Sequence, residues 1–491
     1  MSATRPPRSV LKAAALSLCA LVVLYVGAIT YLWLNRPAIS FDVVQRLNSL
    51  LPQVAEDQRG WPLFKKGMIA LGAQEEFAFP DDAKWVIDGE FLRQRTAGFD
   101  LLAQAAARPA SGYVPSIHPQ AADADLLPYD PAQARPAAPS SPVFALLLPQ
   151  LGLQRKAAKM CAADALHALD EGDSARFVRD ISTMLGLANQ AEESGFLISQ
   201  LVGSALRAMA FERIIMGLEW RPDVVSDEDL AKLTEILRSI SPSAYTIDLD
   251  AELLGITDCI QRTYTDNGSG DGWFNSVYAT RLLTELTAMS SSDAQKDDSN
   301  DSWSATATVL LSPISAALVA TRKETIDLCE SMMRQCEEQS RLPIWQQDAS
   351  YESTFESLVS RTEFAKIKWT LLRLLFPALS RASHVRRMGE SQSLAAQVAI
   401  ACIQYRRSHA GVWPTNFGAL APKFLDTPPL DPMTGEAVTL ENVGASLVIS
   451  STAPSHRVWP DRDVQPPWVW FSGDDQLKRW RAGEKPEVTS P

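Results

Sequence analysis

From Ala13 to Leu34 the chain runs for twenty-two residues without a charged side chain. A helix of that length, at about 1.5 Å per residue, crosses a hydrocarbon core of about 30 Å, so residues 13–34 are expected to form a transmembrane anchor. Arg5, Arg8 and Lys12 precede the run and only Arg36 follows closely. The positive-inside bias then makes residues 1–12 a cytosolic tail and exports the bulk, with Tyr31 and Trp33 at the outer headgroup layer. The rival is a cleaved signal peptide with Val26-Gly27-Ala28 as its processing site. The apolar run continues past that site through Ile29, Tyr31, Leu32 and Trp33, which favours an uncleaved anchor. Leu16-Ser17-Leu18-Cys19 lacks the small residue that a lipoprotein cleavage needs before its cysteine. The expected location is the cytoplasmic membrane, single-pass, with the lipid bilayer as one partner through residues 13–34.

Behind the anchor the spacing of apolar positions is helical. Residues 35–107 form a membrane-proximal helical segment broken by Pro80. Residues 108–141 hold Pro109, Pro115, Pro119, Pro128, Pro131, Pro136 and Pro139, a density that rules out a regular helix and predicts an extended connector. Tyr113, Ile117 and Tyr129 within it predict that it packs on the body. Residues 142–385 read as a helical body. Ala158, Cys161, Ala162, Ala165, Leu166 and Leu169 mark a first helix ending at Gly172, and Asp173 or Ser174 caps a second through Phe177, Ile181, Met184 and Leu185. After Gly195, Phe196 to Leu218 is apolar nearly all round, so this helix belongs at the centre. Ser226 with Asp229 approximates a capping box for the next. Breaks this short make neighbours antiparallel.

Ser290 to Ser302 is polar enough to be a solvated loop. Ala305 to Ala320 is apolar but interrupted by Ser312-Pro313. A second membrane span is the rival reading, and its serines and threonines and short length favour a buried helix instead. Glu356 to about His409 is a long helical pattern kinked at Pro377. Beyond Ala410 the period changes to that of short strands, best at Val438–Leu440, Ser446–Ser450 and Trp468–Phe471. Residues 386–475 thus form a small α+β module, and 476–491 a polar tail. The fold class is mainly α: one transmembrane helix, a large antiparallel helical body and this module.

Composition narrows the function classes. The net charge of −12 argues against a nucleic-acid surface, and 46% hydrophobic residues supply a sizeable core. Apart from Cys19, five cysteines remain (Cys161, Cys259, Cys329, Cys336, Cys402), an odd number that cannot all pair. Cys329 and Cys336, about 10 Å apart along a helix, are too distant for a disulfide, so buried apolar thiols are expected. His118, His167, His384, His409 and His456 are scattered, with no His-Glu-x-x-His and no Cys-x-x-Cys, so no metal site is assigned. No Gly-x-Ser-x-Gly elbow occurs. Asp266-Asn267-Gly268-Ser269-Gly270-Asp271-Gly272 has the look of a calcium or phosphate loop. Its twelfth position is Val277 where a bidentate Glu is needed, and it has no P-loop lysine, so a flexible loop is expected. Asp248, Asp250 and Glu252 offer paired carboxylates for acid–base work, and equally suit a helix start. No residue is assigned a catalytic role and no cofactor is implied.

The segment Ala401-Cys402-Ile403-Gln404-Tyr405-Arg406-Arg407, then Gly411-Val412-Trp413-Pro414, Leu420, Phe424-Leu425 and Leu430-Asp431-Pro432-Met433-Thr434-Gly435 resembles the C-terminal half of type II secretion major pseudopilins. That resemblance implies a helix leading into a short antiparallel sheet, with Trp413 packed beneath it and Asp431 holding the turn. The calcium loop of pseudopilins is replaced by Arg457-Val458-Trp459-Pro460-Asp461-Arg462-Asp463-Val464-Gln465-Pro466, so Asp461 and Asp463 are not expected to bind calcium. Ala165 to Asp173 resembles a single tetratricopeptide-like hairpin, with no repeated period. The whole chain resembles a family of membrane-anchored helical proteins of planctomycete bacteria. The matching stretches are Gly60-Trp61-Pro62-Leu63, Leu197-Ile198-Ser199-Gln200-Leu201-Val202-Gly203 and Leu375-Phe376-Pro377-Ala378-Leu379. This implies an envelope location and no particular chemistry.

The first functional reading is a non-enzymatic envelope protein whose scaffold engages a protein partner. The alternatives are a hydrolase with dispersed carboxylates in the helical body, and a component of a secretion or pilus-like system. A deep pocket with convergent carboxylates favours the enzyme, and a groove lined by apolar and aromatic side chains favours the binder.

Overall fold

The computed structural model describes residues 8–72, 74, 76–80, 82–116, 120–127, 143, 146, 148–290, 301–348, 356–375, 379–451 and 468–472. The chain is mainly helical, with one small antiparallel sheet and one N-terminal apolar helix. That helix, α1 (Arg8–Leu34), is long and apolar enough to cross a membrane. Next come α2 (Val43–Leu50), α3 (Trp61–Leu71), α4 (Trp85–Arg93) and α5 (Thr96–Ala106). The body's main layer is α6 (Pro149–Asp170), α7 (Ser174–Glu192), α8 (Leu197–Trp220) and α9 (Asp227–Ser239). A second group is α10 (Asp250–Thr263), α11 (Ser276–Ser290), α12 (Asp301–Leu318) and α13 (Arg322–Ser340). Two short helices, α14 (Glu363–Lys368) and α15 (Thr370–Leu375), lead to the thirty-residue α16 (Leu379–Ser408). The sheet is β1 (Thr439–Val443), β2 (Ser446–Ser450) and β3 (Val469–Phe471), in that order.

Local chemistry sets these boundaries. Asp173 caps α7 by accepting from the Arg176 amide at 3.0 Å, and Ser226 caps α9 by accepting from the Asp229 amide at 3.1 Å. The Asp229 side chain does not close the expected capping box. It accepts instead from the Ser226 and Ser174 hydroxyls, at 2.8 and 2.5 Å, fastening α9 to the start of α7. Thr321 and Glu324 form the complete box, at the head of α13. β1 and β2 make a hairpin in register from Thr439↔Ser450 to Val443↔Ser446, its turn resting on Gly444 at φ +61°.

The central helix behaves as its apolar sequence predicts. α8 packs against α6, α7, α16 and β3, and Leu206, Ala210, Phe211, Ile214 and Leu218 are wholly buried. Each of the larger side chains among them contributes about 1.5–3 kcal/mol. One hydrophobic core runs continuously from Trp61 and Phe64 through Phe177 and Phe211 to Leu447 and Phe471. Residues 385 and 386 both lie within α16, and the sheet shares the body's core. The amide of Trp470 on β3 donates to Glu219 of α8 at 2.6 Å, so α8 covers that strand edge and buries it. Tyr113 of the proline-rich connector packs edge-on against Trp61 at 4.8 Å, and the Trp61 indole donates to Asp123. Ile117 and Tyr129 lie outside the described residues.

Two expectations are corrected. Ala305 to Ala320 is not a buried helix. α12 runs unbroken through Pro313 and leaves Val309, Leu310, Leu311 and Ile314 exposed, because it leans on α1 and α11 rather than entering the body. The stretch from Asp266 to Gly272 is no flexible loop. Its amides and side chains bond internally, and it is clipped to α13 by the Asp266–Arg322 ion pair at 2.6 Å and the Lys323 amide on Asp271 at 3.0 Å. A Cβ on Gly272 would lie 1.8 Å from the Thr265 carbonyl, so only glycine fits there. Pro377 lies outside the described residues.

A buried ion junction ties three helices. Glu192, ending α7, pairs with Arg207 of α8 at 2.6 Å and with Arg386 of α16 at 2.7 Å. Arg207 also donates to Asn189, and Arg386 to the Gln200 and Ser243 carbonyls. Replacing Glu192 by Ala strands two buried guanidinium groups and is expected to cost about 3–5 kcal/mol in urea titration. A loss below about 1 kcal/mol would mean that water already screens the junction.

Trp413 stacks on Phe471 at 4.7 Å and donates to the Ala445 carbonyl at 3.2 Å, so it sits under the sheet as expected. Trp413→Ala is expected to cost about 3–5 kcal/mol by chemical denaturation, and near-neutral behaviour would remove its place in the core.

Candidate functional site

Where α6, α8 and α16 converge, small side chains face one another and leave a groove of about 900 Å³. Ala162 and Ala163 come from α6, Ala205 and Ala208 from α8, and Ala395 from α16. Phe77, Phe79, Leu166, Ile215 and Trp468 add larger apolar surface. Glu76, Lys159, Glu212 and Arg213 also line it, two carboxylates and two cations. Arg213 is weakly held: its guanidinium is 3.8 Å from Glu212, Nη1 meets the Met216 sulfur at 2.9 Å, and Nε has no hydrogen-bond partner. An alanine-rich floor with a charged lining can receive an apolar guest and orient it by polar flanks.

The acidic stretch is divided by the fold. Asp248 and Asp250 are exposed at the start of α10, and Asp248 accepts from the Asp250 amide at 3.0 Å. Glu252 turns away to accept from the Leu197 amide at 2.8 Å, at the head of α8, and burial pushes its carboxyl up. The third carboxylate beside Asp248 and Asp250 is Glu337 of α13, all three oxygens lying within 4.8 Å of one another. Glu337 accepts from the Leu249 amide at 2.8 Å and is likewise pushed up by burial. Arg341 and Arg386 line the same cleft of about 430 Å³. These carboxylates serve the first turn of α10. Glu337 was missed because its helix lies some eighty residues along the chain.

A second carboxylate pair was also missed. Asp164 of α6 and Asp180 of α7 are wholly buried and share Arg179, at 2.8 Å from each, while Arg176 closes on Asp164. Burial, then the neighbouring Asp164, hold the Asp180 carboxyl well above the ordinary range. The sequence signal was an aspartate set beside Phe177, Ile181 and Met184 on an apolar helix face.

The histidines stay dispersed. His409 stacks on Tyr405 at 3.8 Å, His384 is exposed, and His118 and His456 lie outside the described residues, as do Asp461 and Asp463. Cys161, Cys259, Cys329, Cys336 and Cys402 are buried free thiols, and burial raises Cys259 and Cys329 to about 12. Asp431 holds its turn as expected, accepting from the Met433 amide at 2.8 Å and from Ser391 at 3.0 Å.

No family model, curated protein or solved structure matches the chain.

His167 lies against Trp85, ring centroids 3.4 Å apart, and burial lowers its pKa from 6.5 to about 4. The unfolded chain therefore binds a proton first as pH falls. The stability that neutral His167 contributes is complete above pH 6.5 and is lost as pH falls toward about 4. Melting profiles should fall more steeply across that window for the natural protein than for His167→Gln. Parallel profiles would show that the imidazole titrates equally in both states.

Proposed function

We propose that this chain is a membrane-anchored binding protein that receives an apolar segment of a partner protein in the α6–α8–α16 groove. The observation that carries the reading is the groove itself, alanine-floored and edged by aromatic rings. Its two cations and two carboxylates suit a guest whose flanks carry both signs, as a peptide does and a fatty acid does not. In this reading α1 stays attached in the cytoplasmic membrane, the N-terminal tail faces the cytosol and the body projects outward. The α16 and β1–β3 region, pseudopilin-like in its sequence, serves as a structural buttress whose Trp468 helps line the groove.

The three-carboxylate cleft at α10 favours a hydrolase as the second reading. Against it stands the use of Asp248 and Glu337 as acceptors for backbone amides.

Ala205 is exposed within the groove, so Ala205→Trp fills it without overpacking the core. Binding of anilinonaphthalene sulfonate to the detergent-solubilised full chain should weaken about tenfold in this variant, a change of about 1.4 kcal/mol. A photo-crosslinker at Ala208 should give adducts of protein mass that charge reversal at Arg213 abolishes. Unchanged dye binding, or adducts of lipid mass alone, would overturn the reading. Hydrolysis of a generic ester that Glu337→Gln abolishes would favour the cleft instead.

A further inference from the structure

α12 is built inside out. Ser312 is 3% exposed and Ala316 is 7% exposed, while Leu310, Leu311 and Ile314 are 52%, 55% and 47% exposed. A helix packed on a water-soluble body places its apolar residues inward and its polar residues outward. This helix instead turns its large apolar side chains outward and buries a serine and an alanine, and its neighbour supplies the reason. α12 packs on α1, where the Tyr25 hydroxyl donates to the Leu310 carbonyl. Tyr25 lies nine residues inward from Leu34, the outer end of α1. At about 1.5 Å per residue that is about 13 Å, close to the middle of a hydrocarbon core of about 30 Å.

We infer that the Val309–Ile314 face of α12 lies in the hydrocarbon of the bilayer beside α1, so that the membrane-embedded part is at least a helix pair. The inference rests on the reading of α1 as a transmembrane anchor and extends it to a segment too short to announce itself.

A second feature of α12 fits the same solvent. Pro313 has no N–H, so the Val309 carbonyl loses its helical donor. The Ser312 hydroxyl donates to that carbonyl at 2.7 Å, and the Ser315 hydroxyl to the Ser312 carbonyl at 2.9 Å. In water a solvent molecule would satisfy these groups. In hydrocarbon only the protein can, and serine hydroxyls commonly do so beside a membrane proline. The Tyr25 hydroxyl engages a further carbonyl of the same turn, that of Leu310.

The test places bimane on one introduced cysteine at a time in the full chain, in a Cys19→Ser background where the five remaining thiols are buried, reconstituted in phosphatidylethanolamine–phosphatidylglycerol vesicles. Positions are Leu311→Cys on α12, Leu21→Cys on α1 and Val86→Cys on the body. Phospholipids brominated in their acyl chains should quench position 311 as strongly as position 21. Iodide on both sides of the membrane should quench position 86 alone. Iodide quenching at 311, with lipid quenching kept at 21, would overturn the inference and leave the anchor standing. Lipid quenching absent at both 21 and 311 would overturn the anchor and the inference together. Position 311 quenched by neither agent would place it in a protein contact and overturn the inference.

Discussion

The body of this protein is organised by one carboxylate. Glu192 ends α7 and is shared by Arg207 of α8 and Arg386 of α16, three helices whose sequences lie up to about two hundred residues apart. Two guanidinium groups removed from water are stable only with such a counter-charge and with their remaining N–H groups bonded. Arg386 meets this by donating to the Gln200 and Ser243 carbonyls, and Arg207 by reaching Asn189. Those bonds fix the azimuth of α8 against α16. The same azimuth places Ala205 and Ala208 opposite Ala395, which is the geometry that opens the groove. Hydrophobic burial alone would not choose it, because α8 is apolar nearly all round and could rotate with little change in buried area.

Much of the fold was legible because local signals agreed with one another. Gly172, Gly195 and Ser226 separate α6 to α9 close to their observed ends, and the three strand candidates fall on β1, β2 and β3 within three residues. The failures share a cause. The Asp266–Gly272 turn looks mobile in composition, yet Arg322 and the Lys323 amide immobilise it from a distant segment. α12 reads as buried because apolar composition does not say what covers a helix face, and the fold leaves Val309, Leu310, Leu311 and Ile314 uncovered.

The site was less legible than the fold. A groove floored by alanine carries no chemical label, since alanine is also the ordinary helix former. The acidic stretch did carry one, and the fold dispersed it: Asp248 and Asp250 stay at the start of α10 while Glu252 caps α8. Glu337 and the Asp164–Asp180 pair had no sequence spacing to reveal them, because partners on antiparallel helices are joined by turns of arbitrary length.

These observations constrain how the groove and the anchor cooperate. The groove is bounded by α6, α8 and α16, whereas α1 touches the second group of helices through α12. Between the two groups stand the head of α8, where Glu252 of α10 bonds the Leu197 amide, and Arg387 of α16, which donates to the Ser340 carbonyl at 2.7 Å. Both links are short and directional, so two of the helices that bound the groove, α8 and α16, also bond to the second group. Glu252 and Arg387 therefore do for the position of the groove relative to α12 what Glu192 does for its shape.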